Sequence, residues 1–439
     1  LPGIFLGIFV FTMAISVASV RLLDASVVHQ SLFDLVNFTG PATRSLLSGN
    51  GLSFCYATGF GDAPLCFHAA RMPMASWTVA AGMLLFGDSF VRVSLFKIVL
   101  LLLPLEFAVL LVCRRMPASR LRRTACVLLL VVPFGMTIFI ANVVNLQVEE
   151  DYAYSLIACA FGIVLFGPLG FPKAGGGGSK PGGGGADTDY FALFAGVVFV
   201  LAADGLYLSK SSLSLAAGVL AAAFLVQQRG LGARLAVLGL VLAAPVGWAM
   251  YVHHASGRYD IGTSLDGFNL HKGNGPIFMA HYPPPPLSSL DDYDDELNRG
   301  LSFGNEWSLN DYHMRAGVEY IRTHPRETLI GEWRKFKLLY LSLTKYGSSD
   351  SHGLKLLVEK EGLVLFRSIF WATVSASVLA LFSRRLRGLR GAATAYLALV
   401  AACALPYLIG FGYTRHASIL IYPASLMGCR LLCAEGTRK

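Results

Sequence analysis

About ten stretches of roughly 20 mostly apolar residues each dominate this chain, and they are what any fold must accommodate first. They fall at about 1–20, 91–112, 124–143, 152–171, 189–207, 212–227, 233–252, 366–383, 391–411 and 417–433. In lipid every backbone polar group needs a partner, so such runs fold as bilayer-spanning helices. Composition points the same way. Hydrophobic residues make up 54% of the chain and charged residues 14%, a balance that belongs to a polytopic membrane protein and not to a globule. The first run lacks an A-x-A-like cleavage site and reads as a retained span rather than a signal peptide.

The basic residues orient these spans. "CRRMPASRLRR" (113–123) holds five arginines and no acid, and "QQRGLGAR" and "SRRLRGLR" follow the runs ending at 227 and 383. If each run crosses once, all three clusters lie on one side, the cytoplasmic one. The formal charge of +9 is thus explained by membrane orientation, and nothing in the chain reads as a nucleic-acid module. Residues 21–90, 144–151 and 253–365 then face outward.

The expected fold is an α-helical polytopic membrane protein of about 10–11 spans. A transmembrane module, 1–252, contains the first outward loop, 21–90. A small α-rich outward domain, 253–365, precedes C-terminal transmembrane helices, 366–439. Within the first loop, "RMPMASWTVAAGMLLFG" (71–87) reads as a helix lying in or dipping into the interface. "AGGGGSKPGGGGAD" (174–187) reads as a flexible linker, without the Lys-Ser/Thr spacing of a phosphate-cradling loop. Cys55 and Cys66 share the first outward loop, where an oxidising compartment would allow a disulfide; the sequence leaves the pairing open. No cysteine–histidine spacing resembles a zinc site, and dependence on a divalent metal is left open.

Charges at the outer ends of spans are functional candidates in a membrane protein. They include Glu149 and Glu150 in "NLQVEEDYAY", Lys210 in "GLYLSKSSLS", and Arg415 with His416 in "FGYTRHASILIYP". Lys210 could equally snorkel to the interface, and Asp34 could be a solvated loop carboxylate. "SLDGFNLHKGNGP" (264–276) places Asp266, Asn269, Lys272 and Asn274 among glycines just above the membrane. It suits capping a sugar, or equally a self-satisfied loop supporting the outward domain.

Several of these stretches resemble one family in order along the chain. Asp34, Phe38, Ala42, Leu46 and Gly49 match the pattern Asp-x-x-x-aromatic-x-x-x-Ala-x-x-x-Leu-x-x-Gly. That pattern is found in GT-C fold glycosyltransferases that use polyprenyl-phosphate sugars, among them protein mannosyltransferases and lipid A aminoarabinose transferases. "RMPMASWTVAAGMLLFGDSFVRVSL" resembles the family's basic-Pro-Pro helix and Phe-Gly-Asp-Ser-like turn. "GLYLSKSSLS" is similar to its Lys-Pro/Ser turn, and "DGFNLHKGNGP" to its Gly-Tyr-Asn-Leu…Gly-Asn-Asn-Pro stretch. "AGVEYIRTHPRETLIGEWRKFKLLYLS" resembles the helix-His-Pro-helix that returns such chains to the membrane. The chain departs from the aminoarabinose branch at Ala70, where that branch has Glu, and at Met72, which stands for the first proline. The branch is therefore open.

The resemblance implies a bacterial inner-membrane enzyme that moves a sugar from a polyprenyl-phosphate donor to a glycan, lipid or protein acceptor at the periplasmic face. Asp34 would be the base of an inverting single displacement. Lys210, Arg71, Arg415 and His416 would hold the donor phosphate. Glu149, Glu150, Asp266, Asn269, Lys272 and Asn274 would contact substrate. No cofactor is required, because the lipid-linked sugar is itself the activated substrate. The alternatives are an O-antigen ligase or polymerase-like enzyme, for which Arg415 and His416 speak, and a transporter or flippase of lipid-linked sugars. A transporter would show internal repeats, and no convincing repeat is visible.

Overall fold

The computed structural model describes residues 2–21, 39–56, 60–61, 64–141, 149–167, 186–228, 230–283, 293–343 and 353–434, with backbone alone over 18–21, 134–141, 186–189 and 353–360. In chain order the elements are α1 (Pro2–Arg21), α2 (Thr39–Leu47), β1 (Phe54–Tyr56), β2 (Leu65–Phe67), α3 (Met74–Phe86), α4 (Phe90–Arg114) and α5 (Arg120–Ala141). Next come α6 (Glu150–Phe166), α7 (Ala186–Ser209), α8 (Ser214–Gln227), α9 (Leu231–Val241) and α10 (Ala243–Ser256). Residues 266–336 hold α11 (Asp266–Lys272), α12 (Pro276–His281), α13 (Asp294–Asn298), α14 (Glu306–Thr323) and α15 (Pro325–Phe336). A π turn, Lys337–Leu341, leads on to α16 (Gly353–Phe382), α17 (Arg390–Ile409), α18 (Thr414–Ser418) and α19 (Ile421–Cys433).

Among the described residues each expected apolar run forms helix, and the chain is a multi-pass membrane protein. Among the described residues six segments are by themselves long and apolar enough to cross: Phe90–Arg114, Tyr190–Ser209, Leu231–Ser256, Glu361–Phe382, Arg387–Ile409 and Thr414–Cys433. The expected runs at 1–20, 124–143, 152–171 and 212–227 form α1, α5, α6 and α8. The segment Leu231–Ser256 is broken at Leu242 into α9 and α10. α16 starts at Gly353, well ahead of the apolar run expected from 366.

α6 is the centre of the bundle. All 17 of its residues are buried, as a helix apolar on every side requires. It packs most extensively against α4, α7 and α19. At Gly162 a Cβ would lie 2.9 Å from the Cβ of Ala108, so glycine lets α6 and α4 approach closely. In the connection between α1 and α3, Gly49 (φ 81°) follows α2 and stops it. β1 and β2 pair antiparallel with Cys55 opposite Cys66, and the two are disulfide-bonded.

An ion pair and a hydrogen-bonded carboxyl reach into this apolar interior. Lys97 Nζ on α4 lies 2.6 Å from Asp151 Oδ2 on α6, and both side chains are wholly buried. Thr12 Oγ1 on α1 donates to Glu106 Oε1 on α4 at 2.6 Å. Removing one member of such a buried pair costs about 3–5 kcal/mol, because the other charge is left uncompensated. Lys97→Met should therefore lower thermal unfolding sharply in detergent, and Lys97→Met with Asp151→Leu should recover most of it. Equal stability of the single variant and wild type would show that the pair contributes nothing.

Helix directions bring the polar loops to one end of the bundle. α6, α18 and α19 begin there, and α7 and α17 finish there beside α11–α15. The arginine-bearing connections α4–α5, α8–α9 and α16–α17 lie at the other end.

Candidate functional site

Three consecutive carboxylates open α6, where the helix dipole favours negative charge. Successive helical side chains diverge by about 100°, so each of the three meets a different cation. Arg71 Nη1 donates to Glu149 Oε2 at 3.5 Å. Glu150 Oε1 accepts from Lys210 Nζ and lies 3.0 Å from His416 Nε2 and 3.7 Å from Arg415 Nε. Asp151, the next residue, takes Lys97. Burial pushes the Glu149 carboxyl up, against the opposing pull of Arg71.

His416 is held by both ring nitrogens. The Tyr413 backbone N–H donates to Nδ1 at 3.0 Å, which places the ring hydrogen on Nε2, facing Glu150. Its ring stacks on Tyr407, with centroids 4.3 Å apart. Ser212 Oγ donates to the Tyr407 hydroxyl at 2.9 Å. The Lys210 Nζ is 3.5 Å from His416 Nε2. The constellation is therefore one packed unit. Its more open members are Arg71 and Arg415, whose side chains are 42% and 34% exposed.

What brings these segments together is the stretch 264–274. Far from being an open glycine loop, it contains α11 and touches all three cation-bearing segments. Ser264 N–H donates to Ala69 O at 2.9 Å. Its hydroxyl donates at 2.5 Å to Glu306, which also accepts the N–H groups of His68 and Ala69 at 3.0 and 3.1 Å. That fixes the loop just ahead of Arg71. Asp266 accepts from Thr263 N–H and from Ser211 Oγ, both at 2.8 Å, and so holds the turn beside Lys210. Asn274 Nδ2 donates to Ile409 O at 2.6 Å. Gly273 packs so closely on this segment that a Cβ would lie 2.0 Å from Gly410 O.

The segment 408–412 links α17 to the turn carrying Arg415 and His416. Its carbonyls belong to a helix end, where they lack intrahelical donors. Wholly buried Lys335 supplies them, with Nζ 2.5 Å from Leu408 O and 2.7 Å from Gly410 O. The Tyr282 hydroxyl donates to Gly412 O at 2.8 Å. Burial pulls the Lys335 ammonium down to about 8, with Glu332 at 3.4 Å opposing.

Charge-assisted bonds of this kind are worth about 1.5–3 kcal/mol, so Lys335→Met should speed amide exchange at 410–416 roughly ten- to 100-fold. Lys335→Arg, which stays charged, should protect these amides. In wild type they should open as pH rises through about 8, because a neutral amine has two hydrogens for its carbonyls instead of three. Equal protection of these amides in all three proteins, and protection that does not change through pH 8, would show that Lys335 holds nothing there.

Six of the residues singled out in the sequence thus meet in one cluster: Arg71, Glu149, Glu150, Lys210, Arg415 and His416. Asp266 borders it through Ser211. Lys272 turns away to Asp294 at 2.8 Å, Asn274 grips Ile409, and Asn269 lies half-buried on α11. Asp34 and Phe38 fall outside the described residues, as does most of the glycine-rich run at 174–187. Sequence reading missed Glu306, Lys335, Tyr282 and Tyr407. Among the described residues no group of three or more His, Cys, Asp or Glu side chains is placed to hold a metal ion.

No protein-family model matches this sequence, and no curated protein matches it. A solved structure, the crystal structure of ArnT from Cupriavidus metallidurans in the apo state, is similar over 98% of this chain and 78% of its own. The two share 12% sequence identity, with a TM-score of 0.38.

Proposed function

We propose that this chain is an integral membrane glycosyltransferase of the GT-C type, moving a sugar from a polyprenyl-phosphate donor to an acceptor at the outward, periplasmic face. The observation that supports this reading most is the gathering of Arg71, Lys210, Arg415 and His416 at one end of an apolar bundle. Three of these are lysine or arginine side chains set against the two carboxylates of Glu149 and Glu150, which leaves one basic group in excess. A donor that arrives through the bilayer presents its phosphate at that depth.

The chemistry is a single displacement at the anomeric carbon. Asp34 takes the proton of the acceptor hydroxyl as its oxygen attacks. The bond from the anomeric carbon to the phosphate oxygen breaks, and polyprenyl phosphate leaves with the electron pair. A phosphate with a second pKa of about 6 departs without a general acid. Its growing charge is stabilised by Lys210, Arg71 and Arg415. Glu149 and Glu150 keep these cations spaced and ready before the donor arrives. Asp266 and Asn274 act by holding the cation-bearing segments in place.

The test uses purified protein in lipid nanodiscs with a polyprenyl-monophosphate sugar. Release of polyprenyl phosphate together with glycosylated acceptor is expected. Consumption of a polyprenyl-diphosphate glycan instead would favour a ligase or polymerase. Movement of the donor between leaflets without its consumption would replace the enzyme by a transporter.

A further inference from the structure

The last helix of the outward domain has reversed polarity. α15 turns Gly331 and Lys335 inward. Outward it presents Leu329, Ile330 and Trp333, which are 71%, 41% and 54% exposed. A helix on a water-facing domain does the opposite. The exposed apolar strip is bracketed by exposed basic residues, Arg322 and Arg326 before it and Lys337 after it, while Glu327 and Glu332 are half-buried.

The location of α15 says what covers this strip. On its inner face Lys335 bonds the final carbonyls of α17, so the helix lies level with the end of the membrane-length segment Arg387–Ile409. Exposed apolar side chains continue on both sides of it. Leu405 and Ile409 stand on α17, and Leu341 and Leu343 follow α15 in the chain. A tryptophan beside leucine and isoleucine, flanked by arginine and lysine at the end of a span, matches the chemistry of the bilayer interface.

We propose that α15 is seated in the bilayer surface. Leu329, Ile330 and Trp333 enter the boundary with the acyl chains, and Arg322, Arg326 and Lys337 engage anionic phospholipid headgroups. Because the opposite face carries Lys335, this one helix ties the lipid surface to the segment that leads to Arg415 and His416.

The test is nitroxide accessibility in nanodiscs of phosphatidylcholine and phosphatidylglycerol. Labels go at Leu329→Cys and Ile330→Cys, in a Cys433→Ser background that removes the half-buried free thiol. Collisions with oxygen should exceed those with a water-soluble nickel chelate several-fold at both positions. The reverse is expected at Glu319→Cys, an exposed position on α14. A nickel preference at both 329 and 330 overturns the proposal. Spin–spin broadening that vanishes on dilution with unlabelled protein overturns it in favour of a second copy of the chain. Arg326→Glu with Lys337→Glu should reduce the oxygen preference, and an unchanged preference removes the role given to anionic lipid. Should the labelled proteins fail to fold, quenching by brominated phospholipid decides it instead. The wild type should lose more fluorescence than Trp333→Phe, and equal quenching counts against the proposal.

Discussion

Asp34→Asn is expected to give a folded protein that still binds polyprenyl phosphate but transfers sugar about 10²–10⁴-fold more slowly. Asparagine keeps the size of the side chain and most of its hydrogen bonding while removing its basicity. Asp34 carries the assignment because it alone among the first-loop acids stands in register with Phe38, Ala42, Leu46 and Gly49. Asp24 lies close to the end of α1, and Asp62 stands between the two bridged cysteines. Glu149 is the sharpest comparator, since it is a buried carboxylate in the cluster beside Arg71 and burial pushes it up. If Glu149→Gln abolished turnover and Asp34→Asn did not, the base would be Glu149. Full activity of both variants would sink the mechanism.

Lys210→Ala should cost about 10- to 1000-fold, as a higher donor KM or a lower kcat, which is the scale of losing one electrostatic donor. Its bond to Glu150 raises the opposing possibility that Lys210 only neutralises a buried carboxylate. Glu150→Gln separates the two. If Lys210 works on the donor phosphate, removing the Glu150 charge leaves it free to do so, and the loss is much smaller than for Lys210→Ala. Matching losses in the two variants would return Lys210 to a structural role.

The helices were legible in the sequence because lipid forces each long apolar run into one conformation. The meeting of Arg71, Glu149, Glu150, Lys210, Arg415 and His416 was legible for a related reason. Few charges stand at span ends, alternating helix direction sends these to the same side, and the loop that carries Arg71 lies on that side too. Partners inside the bundle were not legible. Nothing in "SLFKIVLL" shows that Lys97 faces Asp151, because Lys97 sits within an apolar run whose rotation is set by packing. Lys335 was hidden differently, in "GEWRKFK", where charged neighbours make it look solvated. It is buried on the face opposite Leu329, Ile330 and Trp333, which take the side where charges would normally stand. The stretch at 264–274 was ambiguous because glycine and asparagine serve a ligand-capping loop and a backbone clamp equally well. The close approach of Gly273 to Gly410 resolves its local role.

That clamp also behaves as a ruler. Ser264, Asp266 and Asn274 reach three different segments from the two ends of a single seven-residue helix, α11. One residue inserted within α11 would advance the following chain by about 1.5 Å and swing it through about 100°. Asn274 would then miss Ile409 while Ser264 still held the Arg71 loop, even with every side chain intact. Length should therefore be guarded more strictly than identity between Asp266 and Asn274, and variants that differ there by substitution should outlive those that differ by a single insertion or deletion.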